Sequence, residues 1–133
     1  MPNCFYLSTR KDGSAQAGAL LEALKALGWE RTLDWTDRND VGPEGYADTA
    51  LAEIEAVREA DVLVVLLPGG YGTHVEIGAA LALGKPVVLH APDHKTLDTP
   101  YPCVFHYHPR VKLLVSEVLD VDEVLTCMLK LVR

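Results

Sequence analysis

The sequence predicts an α/β fold: a doubly wound, five-stranded parallel sheet of flavodoxin-like, Rossmann-like type, with residues 1–133 as a single domain. Three observations carry this. Short apolar runs alternate with segments of helical periodicity, the order that yields a parallel sheet covered on both faces. The run DVLVVLL, residues 61–67, is continuously apolar and branched, as a strand buried on both sides must be. A chain of 133 residues has material for one real core.

CFYLS, residues 4–8, is a short first strand, followed by the turn TRKDGS. A helix over residues 15–27 sets Leu20, Leu24 and Leu27 on one side and ends at Gly28. ERTLDW, residues 30–35, reads as a second strand, and TDRNDVGPEG after it as an exposed polar loop close to function. A second helix, residues 46–60, turns Ala47, Ala50, Ile54 and Val57 inward. The 61–67 strand then enters a glycine turn and a third helix over residues 73–83, with Gly84 as its C-cap and Pro86 just beyond. PVVLHA, residues 86–91, is the fourth strand, and residues 92–109, rich in Pro, Asp and His, form a long ordered loop. VKLLV, residues 111–115, is the fifth strand; DVDEVLTCMLKLV, residues 120–132, is the closing helix. Ligands of such sheets sit beyond the carboxyl ends of the strands, near a topological switch point. Residues 6–10, Trp35 and residues 68–76 are expected to gather there.

A formal charge of −7 argues against a nucleic-acid duplex or an anionic membrane as partner, but leaves a small anionic ligand open. No apolar run reaches membrane-spanning length, and the N-terminus has no basic segment followed by a signal core, so a cytoplasmic protein is expected. Cys4, Cys103 and Cys127 lie far apart with no C-x-x-C among them, which predicts reduced, mostly buried thiols. His106 and His108 alternate, with His90 and His94 nearby, but no Cys or carboxylate completes a recognisable set. Neither a metal nor a cofactor is expected.

The glycine turn raises the functional question. Gly69, Gly70 and Gly72 fit a tight turn with positive φ, and they also strip side chains from a ligand-facing edge. A helix N-terminus follows, where free N–H groups attract phosphate or another anion. The P-loop ending and G-x-G-x-x-G are both missing. Thr73-His74-Val75-Glu76 fits S/T-x-x-E, so Glu76 is either half of a capping box or a reactive carboxylate.

Residues 60–92, ADVLVVLLPGGYGTHVEIGAALALGKPVVLHAP, resemble the nucleoside 2-deoxyribosyltransferase family, including the deoxynucleoside 5′-phosphate N-hydrolases. The shared pattern is a strand opening with Asp, a loop, a Gly, Glu, Gly, Ala series and a second strand. Residues 72–80 follow it with a longer step from the first Gly to the Glu. FYLS resembles the family's first strand, where a substrate-side tyrosine corresponds to Tyr6.

The resemblance implies cleavage of an N-glycosidic bond, with Glu76 as a nucleophile that forms a covalent glycosyl intermediate. Water then gives hydrolysis; a second nucleobase gives transfer. A homo-oligomer, dimer or larger, is also implied, with residues 92–109, including Tyr101 and Tyr107, helping to close a neighbour's pocket. Relatives carry an Asp eight residues before the strand's Asp; here Glu53 stands there, either a protonated acid for the departing base or a helix charge beside Arg58. Asp61 reads as closing the helix-to-strand junction. Gly70 replaces an Asp or Ser that contacts the sugar's 5′ end, so Gly69, Gly70 and Thr73 become candidates to cradle a 5′-phosphate, with Arg10 and Lys11 supplying charge. Trp35, ahead of Tyr71 and Tyr101, is the candidate to stack on a base. PGGYGT followed by Glu76 also resembles the P-G-G-x-G-T-x-x-E loop of the cytokinin-activating phosphoribohydrolases, although Ile77 stands where those carry a second Glu. A non-catalytic nucleotide-binding module is the alternative from another class; in it Glu76 is a cap alone.

Overall fold

A computed structural model of the chain describes residues 2–10, 14–35 and 42–132. Lys11 and residues 36–41 of the polar loop lie outside them. The elements run β1 (Cys4–Thr9), α1 (Ser14–Ala26), β2 (Glu30–Arg31), α2 (Pro43–Glu59), β3 (Val62–Leu66), α3 (Tyr71–Ala82), β4 (Val87–Ala91), a 3₁₀ turn (Val104–Tyr107), β5 (Val111–Val115) and α4 (Val121–Leu131). The five strands form one parallel sheet in the order β2-β1-β3-β4-β5, so the winding reverses between β1 and β3.

The register of β1 on β3, Phe5 against Val62 through Thr9 against Leu66, decides which side chains meet. Alternation sends Phe5, Leu7, Val62, Val64 and Leu66 into a core with Leu20 and Leu24 of α1 and Val124 and Met128 of α4. It sends Tyr6, Leu63 and Val65 to the other face, with Val57 of α2 and Ile77 and Ala80 of α3. Each fully buried Leu in these layers contributes about 1.5–3 kcal/mol, so the centre of the sheet is the rigid frame of the molecule. Ser8, two residues after Tyr6, shares the α3 face.

Several expectations need correction. β2 is a two-residue strand and does not extend to Trp35. Thr32 N still donates to Phe5 O at 2.9 Å, but the next carbonyl of β1, Leu7 O, accepts the Trp35 indole N–H at 2.7 Å. A side chain thus takes the bond that would have continued the ladder. Leu27 is 57% exposed rather than packed with Leu20 and Leu24, because α1 has ended at Ala26 and Gly28 turns the chain at φ 84°.

α2 begins earlier than expected, with Pro43 in its first turn, and Ala47 and Ala50 are exposed. It enters the core through Ala56 and Val57, followed by Ala60, in its last turns. The three cysteines are half-buried free thiols, not mostly buried ones. Asp61 has its expected structural part: its Oδ2 accepts Cys4 N–H at 2.8 Å and its own N–H donates to Cys4 O at 2.9 Å. Among the described residues, no helix is long and apolar enough to cross a membrane.

Candidate active site

α3 buries Thr73, Glu76, Ile77 and Ala80, spaced as a helical stripe facing the sheet. Glu76 is the ionisable member of that stripe and is only 6% exposed. Its Oε1 accepts a hydrogen bond from Ser8 Oγ at 2.6 Å, and its Oε2 accepts one from the Tyr6 hydroxyl. Ser8 Oγ also lies 3.0 Å from Thr73 Oγ1, so Thr73 can donate to Ser8 while Ser8 donates to the carboxylate. The capping box does not form. Gly70 occupies the N-cap without a side-chain bond, Thr73 sits inside the first turn, and Glu76 turns to β1 instead. Glu76 is not a cap.

Burial raises the pKa of Glu76 from 4.5 to about 7; the hydrogen bonds from Ser8 and Tyr6 oppose the rise and the nearby charge of Glu53 adds to it. Burial, followed by the charge and hydrogen bond of Glu76, drives the Tyr6 phenol far above its ordinary range, so it stays protonated as a donor. The result is a basic carboxylate held in one orientation, with little water to compete for it.

This carboxylate opens onto a cleft of about 560 Å³ lined by Ser8, Thr9, Arg10, Trp35, Glu53, Gly70, Gly72, Thr73 and Glu76. The cleft lies where β1 and β3 end, at the reversal of strand order. Arg10, Trp35, Glu53, Gly70, Gly72, Thr73 and Glu76 therefore come together as expected from sequence, with Tyr6 behind Glu76. Glu53 stands one turn before Ala56 and Val57, at the point where α2 passes from core to cleft.

Gly69 is different: it lines a second cavity, and a Cβ there would lie 2.6–2.7 Å from the Thr73 side chain. Its need is close packing against Thr73. None of the turn glycines has a positive φ; among the described residues only Gly28, Gly42 and Gly84 do. Gly70 and Gly72 instead leave open space beside the helix start. Ser8 and Thr9 fall within the 6–10 stretch expected at this edge but are not singled out by the sequence as site residues, and for Ser8 the signal is its two-residue spacing from Tyr6.

The family model described as nucleoside 2-deoxyribosyltransferase matches residues 5–124, nearly the full length of the chain. The chain belongs to the nucleoside 2-deoxyribosyltransferase family. It is accordingly an enzyme of the N-glycosidase and sugar-transferase class. No curated protein matches it by sequence. Among solved structures it is similar to the CMP N-glycosidase BcmB of Clostridium botulinum, at 22% identity and TM-score 0.67 over 97% of this chain and 100% of that one. It is also similar to a 2-deoxyribosyltransferase of Bacillus psychrosaccharolyticus, at 19% identity and TM-score 0.64 over 91% and 89% of the two chains. The solution structure of BlsM aligns at 20% identity and TM-score 0.61, over 92% and 84%. At these identities the likeness is one of fold.

This family member has a second cluster on the far side of the glycine turn. A cavity of about 420 Å³ is lined in part by Pro68, Gly69, His74, Thr96, Cys103 and His106. His74 Nδ1 lies 2.8 Å from Gly70 O, and His74 Nε2 lies 3.0 Å from His106 Nε2. His106 is 4% exposed; burial first, and then His74, lower its pKa. The sequence offers no recognisable set among its histidines, with neither a Cys nor a carboxylate to complete one; in the structure the 3₁₀ turn carries His106 to His74 of α3, and Cys103 is the thiol that joins them. His90 bonds Ser116 on β4's other flank, and His94 is exposed.

Proposed function

We propose that the protein cleaves the N-glycosidic bond of a nucleoside or nucleoside 5′-monophosphate, with Glu76 attacking the anomeric carbon. The observation that carries this reading is the buried carboxylate of Glu76, aimed by Tyr6 and Ser8 at the floor of the cleft. A carboxylate oxygen forms a bond to the anomeric carbon as the carbon–nitrogen bond breaks, and that electron pair leaves with the base. Glu53, on the cleft wall, supplies the proton the departing base needs. Water then passes a proton back to Glu53 as it adds to the anomeric carbon of the glycosyl ester, releasing the sugar and restoring both carboxyl groups; a second base in place of water gives transfer.

The 5′-phosphate form is the better substrate in this reading. Gly70, Gly72 and Thr73 line the cleft at the N-terminus of α3, where unpaired N–H groups favour an anion, and Arg10 lines the same cleft. A neighbouring fold is described as a CMP N-glycosidase, which is in keeping with a monophosphate substrate. Trp35 offers its ring to the base. A second copy of the chain completes the cleft; Tyr71 and Tyr101, 95% and 93% exposed, and half-exposed Tyr107 supply apolar surface for that contact.

The test is a panel of ribo- and deoxyribonucleosides and their 5′-monophosphates, assayed by chromatography for free base. Release from at least one monophosphate, faster than from its nucleoside, is expected. No release from any member by folded protein would leave the binding-module alternative standing.

A further inference from the structure

We propose that His74, Cys103 and His106 form a binding site for a borderline-soft divalent metal ion, Zn²⁺, which clips the β4–β5 connection to the first turn of α3. One ligand atom from each residue lies within 4.8 Å of the other two. The chemistry of the set is that of zinc: two imidazoles and one thiolate, with a fourth position supplied by water from the shared cavity.

Three features support it. First, Gly70 O can only accept, so His74 Nδ1 carries the proton and Nε2 presents its lone pair, the orientation a backbone carbonyl imposes on a metal-bound histidine. Second, the facing nitrogen of His106 is 3.0 Å away, near the roughly 3.3 Å that two nitrogens on a tetrahedral zinc adopt. The rings need to part by a few tenths of an ångström, and the thiol to close in by at most about 1 Å. Third, a hydrogen bond between the two rings accounts for two residues only and leaves the convergence of Cys103 on them unexplained. Binding expels the Cys103 thiol proton to solvent and leaves the thiolate as ligand. His74 stands two residues before Glu76, so an ion here braces the turn that carries the carboxylate without entering the cleft.

The experiment uses the full chain after chelator treatment. Zn²⁺ is titrated by calorimetry, and Co²⁺ by absorption as the optical stand-in for zinc. One equivalent per chain is expected, with a thiolate-to-cobalt charge-transfer band and a melting temperature raised by Zn²⁺. Cys103→Ser abolishes the band, His74→Gln and His106→Gln each weaken Zn²⁺ binding by roughly tenfold or more, and Cys127→Ala changes neither. No saturable binding overturns the proposal, as does a cobalt band that survives Cys103→Ser. Should Cys103→Ser fail to fold, Zn²⁺ affinity unchanged in both histidine variants overturns it equally.

Discussion

Toward the cleft, the opening turns of α3 present Glu76 to Tyr6 and Ser8 of β1; toward the second cavity they present His74 to Cys103 and His106. The first group is fixed by a strand and a helix whose spacing is set by two hydrophobic layers. The second is half fixed, because Cys103 and His106 ride on the connection between β4 and β5. A group aimed by regular elements suits chemistry, where a small misplacement is costly. A group half on a connection suits a clip, which gains its order when an ion arrives. Four substitutions test that contrast.

The largest effect is expected from Glu76→Gln. A neutral amide cannot form a glycosyl ester, so base release should fall by at least about 10⁴-fold. Stability should move the other way. Below pH 4.5 the folded and unfolded chains both hold the Glu76 proton; as pH rises through about 7 the unfolded chain ionises first, and folding loses free energy. Above that window the loss is on the order of 3 kcal/mol, the raised pKa expressed as energy. The Gln variant lacks this loss, so denaturant titration should show it more stable than wild type at mildly alkaline pH and equal to it in acid. A fully active variant would break the contrast, since both sides of α3 would then be structural.

Next comes Glu53→Gln, expected to slow base release by about 10²-fold for substrates with poor leaving groups and less for good ones. The charge of Glu53 helps to raise Glu76, so removing it should also shift the acid limb of the pH–rate profile to lower pH. An unmoved midpoint would separate the two carboxyl groups and leave Glu53 as a wall residue.

The smallest effect belongs to Gly69→Ala, which touches both sides of the helix start. Its new methyl meets Thr73 Cβ at 2.7 Å, so the turn has to shift, at a cost of about 1–3 kcal/mol and roughly tenfold in rate. Gly70→Ala, with nothing within 4 Å of its Cβ, should leave the melting temperature unchanged. Equal melting temperatures for the two variants would deny the Gly69–Thr73 contact any part in shaping the turn.

What the sequence reveals follows the same division. β3 and β4 are legible because continuous apolar runs announce strands buried on both faces, and β5, an edge strand with Lys112 exposed, is legible from the apolar residues around that lysine. Glu76 is legible because it interrupts an otherwise apolar or small helical stripe. β2 is overread, since Thr32 to Trp35 carry strand-like residues and nothing local tells that an indole will take Leu7 O. The capping box is overread too: the helix starts two residues sooner, at Tyr71, which puts Thr73 inside the first turn. The approach of Cys103 to His74 depends on the path of the β4–β5 connection, and no spacing in the sequence encodes it.

The indole bond of Trp35 has an optical consequence. The chain contains two tryptophans. Trp29 is 6% exposed and packs edge-on to Phe5, with ring centroids 6.4 Å apart, in the core of α1 and α4. Trp35 borders the cleft with its N–H tied to Leu7 O. One fluorophore is therefore shielded from any occupant and the other is beside it. The molecule carries its own reporter and its own reference, and filling of the cleft can be followed in the emission of unlabelled protein.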